Sequence, residues 1–502
     1  MLTTTDPRTG AVTATTLDAT APEQTDAIVR AAQAAFAQLA TRDRAWRAGL
    51  LDALADALDA DRTALVEVAD RETGLGPVRL DGEVSRAAFQ FRLFAEAVRE
   101  GGYLEAAIDH GGPTALGPAP EIRRLLVPIG PVAVFGSSNF PFAFSVAGGD
   151  TASALAGGNP VVLKAHSSHL ETSARSFAVL SAAAVAYGAP AGLLGIVYGT
   201  GAGAALVAHP LVRAVGFTGS LGGGQALMDL IADRDEPIPF YGELSSLNPL
   251  VVTRGAAAAR AEGIADGLFG SFTLGSGQFC TKPGIAFVPN GPDGDALVAR
   301  LVERATDAAA SVLLNARIAD SFDEIRDRLV AEGAVELLAR GSEHGDGAGF
   351  SAAPTVLGVA ARDLTAEVAE EAFGPLIVVA RYDVDADIVA ALDAVPDSLT
   401  ATVHSEADEV EAVSALVAEL APRVGRLVFD GYPTGVRVSW AQHHGGPWPA
   451  TNSQHTSVGV SAIRRFLRPL AYQDAPEAML PVELRDDFRG IPRRVDGVLQ
   501  LA

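Results

Sequence analysis

One sulfur sets the question in this sequence. Cys280 is the only cysteine in 502 residues, and it sits in Leu274-Gly275-Ser276-Gly277-Gln278-Phe279-Cys280-Thr281-Lys282-Pro283-Gly284. Small residues on both sides leave open space at the thiol, which a nucleophile needs and a packed core residue does not. The run from Gly270 to Phe279 reads as a short Gly-rich helix that delivers Cys280 to its end. A lone cysteine is nevertheless more often a small buried hydrophobe, so the thiol decides nothing without partners elsewhere in the chain.

Four further stretches carry groups that such a thiol could use. Phe135-Gly136-Ser137-Ser138-Asn139-Phe140-Pro141 offers a neutral amide, and Tyr241-Gly242-Glu243-Leu244-Ser245-Ser246-Leu247-Asn248-Pro249 a carboxylate. Phe217-Thr218-Gly219-Ser220 and Glu370-Glu371-Ala372-Phe373-Gly374-Pro375 complete the set. With the cysteine stretch, these resemble five motifs of the aldehyde dehydrogenase superfamily, in the family's order. The flanking sequence fits from near residue 10 to the C-terminus. Any one match could be chance, but five in register are a strong signal.

The resemblance implies thioester chemistry. A thiolate attacks the carbonyl, donors stabilise the oxyanion, a nicotinamide accepts hydride, and a base activates water to release the acid. It makes Cys280 the nucleophile, Glu243 the base, and Asn139 the oxyanion donor together with the backbone N–H of Cys280. A free thiol with a pKa of ~8.5 is only partly ionised at neutral pH, so a base or dipole must assist it. Ser245 and Ser246 stand where many relatives have two glycines, which could narrow the approach to the nicotinamide.

Cofactor binding is expected at Ser138, Lys164, His166, Ser167, Gly199, Gly219, Ser220, Gly224, Leu244, Glu371 and Phe373. Lys164 ends a strand and can reach the adenosine ribose. Gly219 to Gly224 makes a Gly-x4-Gly turn into a helix, where backbone N–H groups can meet phosphate; the Gly-x-Gly-x-x-Gly fingerprint is absent. Glu371 is expected to bond the nicotinamide ribose, with Phe373 packed beside it. Relatives restricted to NAD often carry a glutamate at the third position after this lysine. Here that position is Ser167, so NADP is the expected cofactor, with NAD also possible.

For the substrate, His443-His444-Gly445-Gly446-Pro447-Trp448-Pro449-Ala450 reads as a pocket-wall loop. That loop, Gly148-Gly149-Asp150-Thr151, and Gln278 to Thr281 most resemble the α-ketoglutaric semialdehyde (2,5-dioxopentanoate) dehydrogenases of the superfamily. Expected pocket residues are Phe140, Phe142, Gln278, Phe279, Arg437, Trp440 and Trp448. Arg437 is the only full charge among them, and its alternative is a solvent-facing strand end. The rival activities are an NADP-dependent long-chain fatty aldehyde dehydrogenase and a phosphorylating semialdehyde reductase, which would not need Glu243. A catalytically silent homologue is the rival of another class. No metal is expected, because the cysteine and base leave the nine histidines no vacant role.

These residues need a scaffold, and the composition bounds it. The length suggests about three domain-sized units, and 48 % hydrophobic residues with 52 Gly and 29 Pro suit an α/β enzyme. A net charge of -23 argues against nucleic acid and anionic membranes as partners. No apolar run reaches the ~18 residues of a membrane helix, and no signal peptide is visible, so a cytoplasmic enzyme is the default reading. Apolar spacing predicts four helices, over 25–40, 42–58, 61–73 and 81–100. From Ile122 onward strands and helices alternate, predicting an α/β fold of two doubly wound parallel-sheet lobes.

The expected division places a cofactor lobe at 1–101 and 127–242 and a catalytic lobe at 243–435. Residues 102–126 and 436–502 form an oligomerisation hairpin and a C-terminal segment, which implies a homodimer or homotetramer. Strands in the second half are expected at 250–252, 285–288, 375–380, 401–404 and 427–429. Helices there are expected at 297–313, 321–332 and 407–420.

Overall fold

The chain's structure is a computed structural model that describes residues 1–343 and 349–502. Four helices open it: α1 (Pro22–Leu39), α2 (Arg44–Ala60), α3 (Arg62–Thr73) and α4 (Pro77–Glu100). Their ends follow local chemistry. Proline opens α1 and α4, and left-handed glycines close α3 at Gly74 (φ 65°) and α4 at Gly101 (φ 83°). The apolar stripe of α2 buries Leu50, Leu51, Leu54 and Leu58, and that of α4 buries Phe91 and Phe94. Each such side chain contributes about 1.5–3 kcal/mol when fully buried.

The first lobe is built on strands β1 (Val132–Phe135), β2 (Val161–Lys164), β3 (Leu194–Val197), β4 (Ala214–Thr218) and β5 (Phe240–Glu243). They form an all-parallel sheet in the order β5-β4-β1-β2-β3. Helices α5 (Gly149–Gly157), α6 (Leu170–Tyr187), α7 (Thr200–Ala208) and α8 (Leu221–Ala232) connect the strands or follow them. Asn139, His166, Gly219 and Glu243 all lie at the carboxyl ends of these strands, where such sheets bind ligands.

The second sheet has seven strands: β6 (Pro249–Val252), β7 (Ile285–Pro289), β8 (Glu336–Arg340), β9 (Thr355–Ala360), β10 (Leu376–Tyr382), β11 (Ser398–His404) and β12 (Val424–Phe429). Their order is β8-β9-β10-β7-β6-β11-β12, parallel except for the β8 edge. Helices α9 (Arg254–Thr273), α10 (Pro292–Thr306), α11 (Ala316–Ala331), α12 (Asp385–Ala391) and α13 (Val410–Leu420) complete this lobe. The α/β architecture with two doubly wound sheets is therefore as expected.

A third sheet joins distant parts of the chain in the order 467–473, 122–128, 107–109, 493–495 and 498–500. Within it, Leu467 to Gln473 pairs antiparallel with Pro128 to Ile122. Residues expected to make a free hairpin thus share a sheet with the C-terminal segment.

Several elements differ from expectation. The helix before Cys280 is not a short one beginning near Gly270: α9 starts at Arg254 and ends at Thr273, seven residues short of the thiol. Its first half, Arg254 to Glu262, has only alanine as an apolar residue, so the helical periodicity becomes visible only from Ile264, Leu268 and Phe272 onward. Helix α10 stops at Thr306, and the residues up to Leu313 form a turn and a short strand, Ser311–Val312. Strands β8 and β9 and helix α5 had no counterpart in the sequence reading. Among the described residues, no helix is long and apolar enough to cross a membrane.

Candidate active site

The loops at the carboxyl ends of β1, β2, β4 and β5 face the cysteine turn, the N-terminus of α11 and the segment around Glu371. Between them lies a cavity of about 640 Å³. Asn139, Glu243 and Cys280 line it together. So do Ser138, His166, Ser167, Gly219, Ser220, Leu244, Glu371 and Phe373 from the expected cofactor set, and Phe140 from the expected pocket.

The cysteine is carried by an unusual turn. Gly275, Ser276 and Gly277 all have positive φ (56°, 59° and 68°). A Cβ on Gly277 would stand 2.2 Å from the Gly374 carbonyl oxygen, so glycine is needed both for the conformation and for the approach. That approach ties the nucleophile turn to the Glu371 segment. Asn248 holds the turn from below, its Nδ2 donating to the carbonyls of Cys280 (2.8 Å) and Lys282 (2.9 Å). Lys282 is fully buried and donates Nζ to Ala372 O (2.8 Å) and Leu376 O (3.0 Å). Burial brings its pKa down to about 8.

Glu243 ends β5 with its carboxylate almost completely buried, at 2 % exposure. His444 Nε2 lies 2.9 Å from Oε1, and Ser457 Oγ donates to Oε2 at 2.7 Å. Cys280 Sγ is 3.5 Å from the same His444 Nε2. One donor atom from each of Glu243, Cys280 and His444 lies within 4.8 Å of the others. That set would also suit a metal ion, a role the sequence reading gave no place.

The electrostatics separate the two partners. Burial raises the Glu243 carboxyl, but the charge and hydrogen bond of His444, then Ser457 and Cys280, outweigh it and bring its pKa to about 2. Burial pushes the Cys280 thiol well above its ordinary value, and the neighbouring Glu243 carboxylate pushes it further. At rest the site therefore holds a carboxylate beside a protonated thiol. With Glu243 ionised, His444 Nε2 carries the proton of their hydrogen bond and points a donor between carboxylate and sulfur.

His444 is the residue the sequence reading missed: its loop was taken as a pocket wall. The loop approaches its neighbours so closely that a Cβ on Gly446 would sit 2.4 Å from Ser398 O, which presses it onto the start of β11. His444 N then donates to Thr456 Oγ1 (2.8 Å), and Ser457 N to His444 O (2.9 Å). The available signal was a histidine directly before a Gly-Gly pair in a chain with one cysteine.

Asn139 is buried, and its Nδ2 donates one hydrogen to Gln278 O (2.9 Å), leaving the second for an oxyanion. Arg79 from α4 braces this loop by donating Nη2 to Asn139 O (2.6 Å), with its guanidinium over the rings of Phe140 and Phe279. The two serines near Glu243 do not obstruct the cavity. Ser245 Oγ donates to Glu371 Oε2 (2.5 Å), and Ser246 Oγ turns to Asn248 Oδ1 (2.7 Å).

Other expectations are corrected. Phe142 is fully buried in the first lobe's core, and its N–H binds Glu83 Oε1 (2.8 Å). Gln278 is also fully buried, its side chain spent on Gly275 O, Val312 O and the N–H of Leu314. Neither lines the cavity. Arg437, Trp440 and Trp448 are exposed and lie off it, and Phe279 sits behind Phe140 in an edge-on contact. Lys164, Gly199 and Gly224 do not line it either. Gly224 is instead capped by Leu244, whose Cδ2 would be 2.3 Å from a Cβ there. Arg317, at the start of α11, does line the cavity near His166 and was not foreseen.

Comparison with known proteins gives a consistent picture. The profile described as "Aldehyde dehydrogenase family" matches residues 1–446. "Alpha-ketoglutaric semialdehyde dehydrogenase 2" of Azospirillum brasilense is 44 % identical over 476 residues, covering 93 % of this chain and 90 % of that protein. "Alpha-ketoglutaric semialdehyde dehydrogenase" of Acinetobacter baylyi is 39 % identical over 491 residues, covering 95 % and 91 %. Among solved structures, a 1-pyrroline-5-carboxylate dehydrogenase superposes with a TM-score of 0.79 at 23 % identity, covering 94 % of this chain and 89 % of that one.

Proposed function

The chain belongs to the aldehyde dehydrogenase family and is an oxidoreductase acting on aldehydes, and from that premise we propose that it oxidises 2,5-dioxopentanoate (α-ketoglutaric semialdehyde) to 2-oxoglutarate. The observation that carries the mechanism is the contact set of Cys280, His444 and Glu243 beside Asn139. The substrate is supported by two relatives of that name, which match over nearly the whole chain.

In this reading Glu243 takes the thiol proton as Cys280 attacks the aldehyde carbon. The His444 Nε2 donor stabilises negative charge on sulfur and carboxylate alike. The free Asn139 Nδ2 hydrogen and the Cys280 N–H hold the oxyanion of the thiohemiacetal. Enzymes of this family use NAD(P), which when bound supplies the hydride acceptor that turns thiohemiacetal into thioester. Once Glu243 has passed the thiol proton on to solvent, its bonds to Ser457 and His444 favour the ionised form again, and it can take a proton from the water that releases the acid and frees Cys280 as the thiolate.

The cavity's chemistry fits such a cofactor. Ser220 caps α8 by accepting from Gly223 N (3.3 Å), and the free N–H groups of that first turn face the cavity at Leu221 and Gly222. Glu371 keeps one carboxylate oxygen for ribose hydroxyls. At the adenosine end we favour NADP. His166 is half-buried, and desolvation holds its pKa well below the ordinary value so that it adds no charge, whereas Arg317 makes no salt bridge among the described residues. Lys164, beneath the loop, supplies the second cation. A homodimer or homotetramer assembled through the third sheet, in the cytoplasm, completes the proposal.

The test compares kcat/KM for 2,5-dioxopentanoate, pentanal and decanal. The first should exceed pentanal by at least about 10-fold, or about 1.4 kcal/mol of transition-state binding. Decanal winning would transfer the protein to the fatty-aldehyde group.

A further inference from the structure

With Arg437 outside the cavity, a substrate carboxylate needs another cation. An overall charge of -23 repels a dianionic or monoanionic substrate, so the group that captures it must be local. Two arginines share one loop of the catalytic lobe. Arg86, two turns into α4, donates Nη1 to Val436 O. Arg426, on β12, donates Nη2 to Pro433 O (2.7 Å) and Nη1 to Gly435 O (3.3 Å). Both guanidiniums are thus anchored on one loop, 433–436, from opposite elements of the fold.

Neither is neutralised there. Among the described residues, neither takes part in a salt bridge within 4 Å, although most arginines of this chain do. Arg86 Nε and Nη2 and Arg426 Nε are buried without a hydrogen-bond partner. Unpartnered N–H groups on a buried cation are costly, by about 1–3 kcal/mol each, and a fold tolerates them where a ligand supplies the acceptors. The acid felt most by Arg86 is Glu83, with Glu243 beyond it; Glu83 Oε1 is bound by the N–H groups of Phe142 and Ala143, and its Oε2 makes no hydrogen bond, so Glu83 offsets charge without taking up the Arg86 N–H groups.

The position relative to the chemistry follows from a chain of contacts. The Arg86 guanidinium lies 5.5 Å over the ring of Phe144, and Phe144 lines the cavity. Phe144 packs edge-on against His444 at 6.2 Å, and His444 touches the sulfur. Burial draws both arginines below their usual range, and Arg426 is tied to the same place by the 433–436 loop that both guanidiniums hold. Neither arginine lines the cavity itself; Arg86 stands one ring behind it, at Phe144, where a carboxylate a few carbons from an aldehyde at Cys280 reaches it once it passes that ring.

Resting on the dehydrogenase reading above, we propose that Arg86 and Arg426 form the subsite for the substrate carboxylate, accepting it through the unpartnered Arg86 Nε–H and Nη2–H and Arg426 Nε–H. The pair selects ω-carboxylated aldehydes over uncharged ones. Arg86 offers two adjacent donors in the fork that matches a carboxylate, and Arg426 supplies the second positive charge. Arg79 is a separate case: its bond to Asn139 O makes it a brace for the oxyanion loop.

The test measures kcat/KM for 2,5-dioxopentanoate and for pentanal in the wild type, Arg86→Gln, Arg86→Lys, Arg426→Gln and the exposed control Arg437→Gln. It also measures glutarate binding by calorimetry to the same proteins. The dioxopentanoate/pentanal ratio should fall about 30-fold in Arg86→Gln and about 10-fold in Arg426→Gln, with glutarate affinity falling in parallel. Arg86→Lys should recover part of both, and Arg437→Gln should leave both in place. A wild type that favours dioxopentanoate while both glutamine variants lose the two substrates equally, with glutarate binding intact, overturns the subsite alone. A wild type without that preference overturns the substrate reading and the subsite with it. If a glutamine variant melts early, the lysine variant and the glutarate affinities decide the matter.

Discussion

The two ends of the cavity are built on opposite plans. At the catalytic end, each reacting group is held by a different element and then held again: Cys280 by Asn248, Glu243 by Ser457 and His444, Asn139 by Gln278 O and Arg79. Glu243 and Asn139 are buried and Cys280 half-buried, and their geometry is set by backbone carbonyls, by a left-handed turn, and by glycines pressed against neighbouring chain. At the adenosine end, Ser167 and Arg317 are exposed side chains on a loop and a helix start. Arg317 makes no salt bridge among the described residues, and His166 stacks on His169 at 5.4 Å and accepts at Nδ1 from Ser168 N (3.1 Å) within its own loop. Chemistry demands positions fixed to fractions of an ångström, because the gain comes from donors aligned before charge develops. Discriminating one cofactor from another needs only a charge and room, so single side chains can carry it.

The largest effect should come where the first plan has no substitute. Cys280→Ala removes the sulfur proposed to form the covalent adduct, and turnover should fall at least about 10³-fold. Cofactor affinity, measured by fluorescence titration of NADPH, should stay within about 3-fold, since the two sites share few contacts. A variant keeping a few per cent of wild-type turnover would remove the sulfur from the mechanism and blur the contrast between the two ends.

His444 tests whether the catalytic end works as one unit. His444→Gln should lower kcat/KM about 10²-fold, because the donor shared between Glu243 and the sulfur is lost. Its distinguishing readout is the pH profile of Cys280 alkylation by iodoacetamide. In the wild type burial, and then Glu243, hold the thiol well above its ordinary pKa, so the alkylation rate should climb through the alkaline range. Removing a donor to the thiolate raises that pKa further, and the profile should move to higher pH. An unmoved profile with lowered turnover would confine His444 to supporting Glu243.

This contrast also explains what the sequence disclosed. Cys280, Glu243 and Asn139 were legible because each is embedded in a stretch whose neighbours the chemistry constrains: small residues around the sulfur, a glycine before the carboxylate, a proline after the amide's loop. The alternation of strands and helices was legible for the same reason of local pattern. His444 was not, because its partners are 164 and 201 residues away and its own neighbours say only that the loop turns tightly. Arg437 was the charge expected in the pocket because it adjoins an expected pocket segment, and Arg86 gave no signal at all. Arg86 comes near the site only because α4 sets its guanidinium over Phe144, a tertiary fact with no local signature. Gln278 and Phe142 erred the other way: adjacency to the motif suggested the cavity, while the turn and the core each rotate the side chain inward.

The smallest effect belongs to the adenosine end, and it is where the second plan is most open to revision. Ser167→Glu places a carboxylate in the loop that also carries His166 and Ser168, so it should accept ribose hydroxyls and repel a 2′-phosphate. The ratio of kcat/KM for NADP over NAD should drop about 10-fold, roughly 1.4 kcal/mol. Arg317→Ala should act in the same direction but less, about 5-fold, because the guanidinium is exposed and screened. Binding separates charge from shape: the affinity for 2′,5′-ADP should weaken in Arg317→Ala while that for 5′-ADP holds. Salt should erode the wild-type preference for 2′,5′-ADP and have less left to erode in the variant. Equal losses for both nucleotides would mean that Arg317 shapes the entrance rather than reading the phosphate, and the adenosine end would then rest on Ser167 and Lys164.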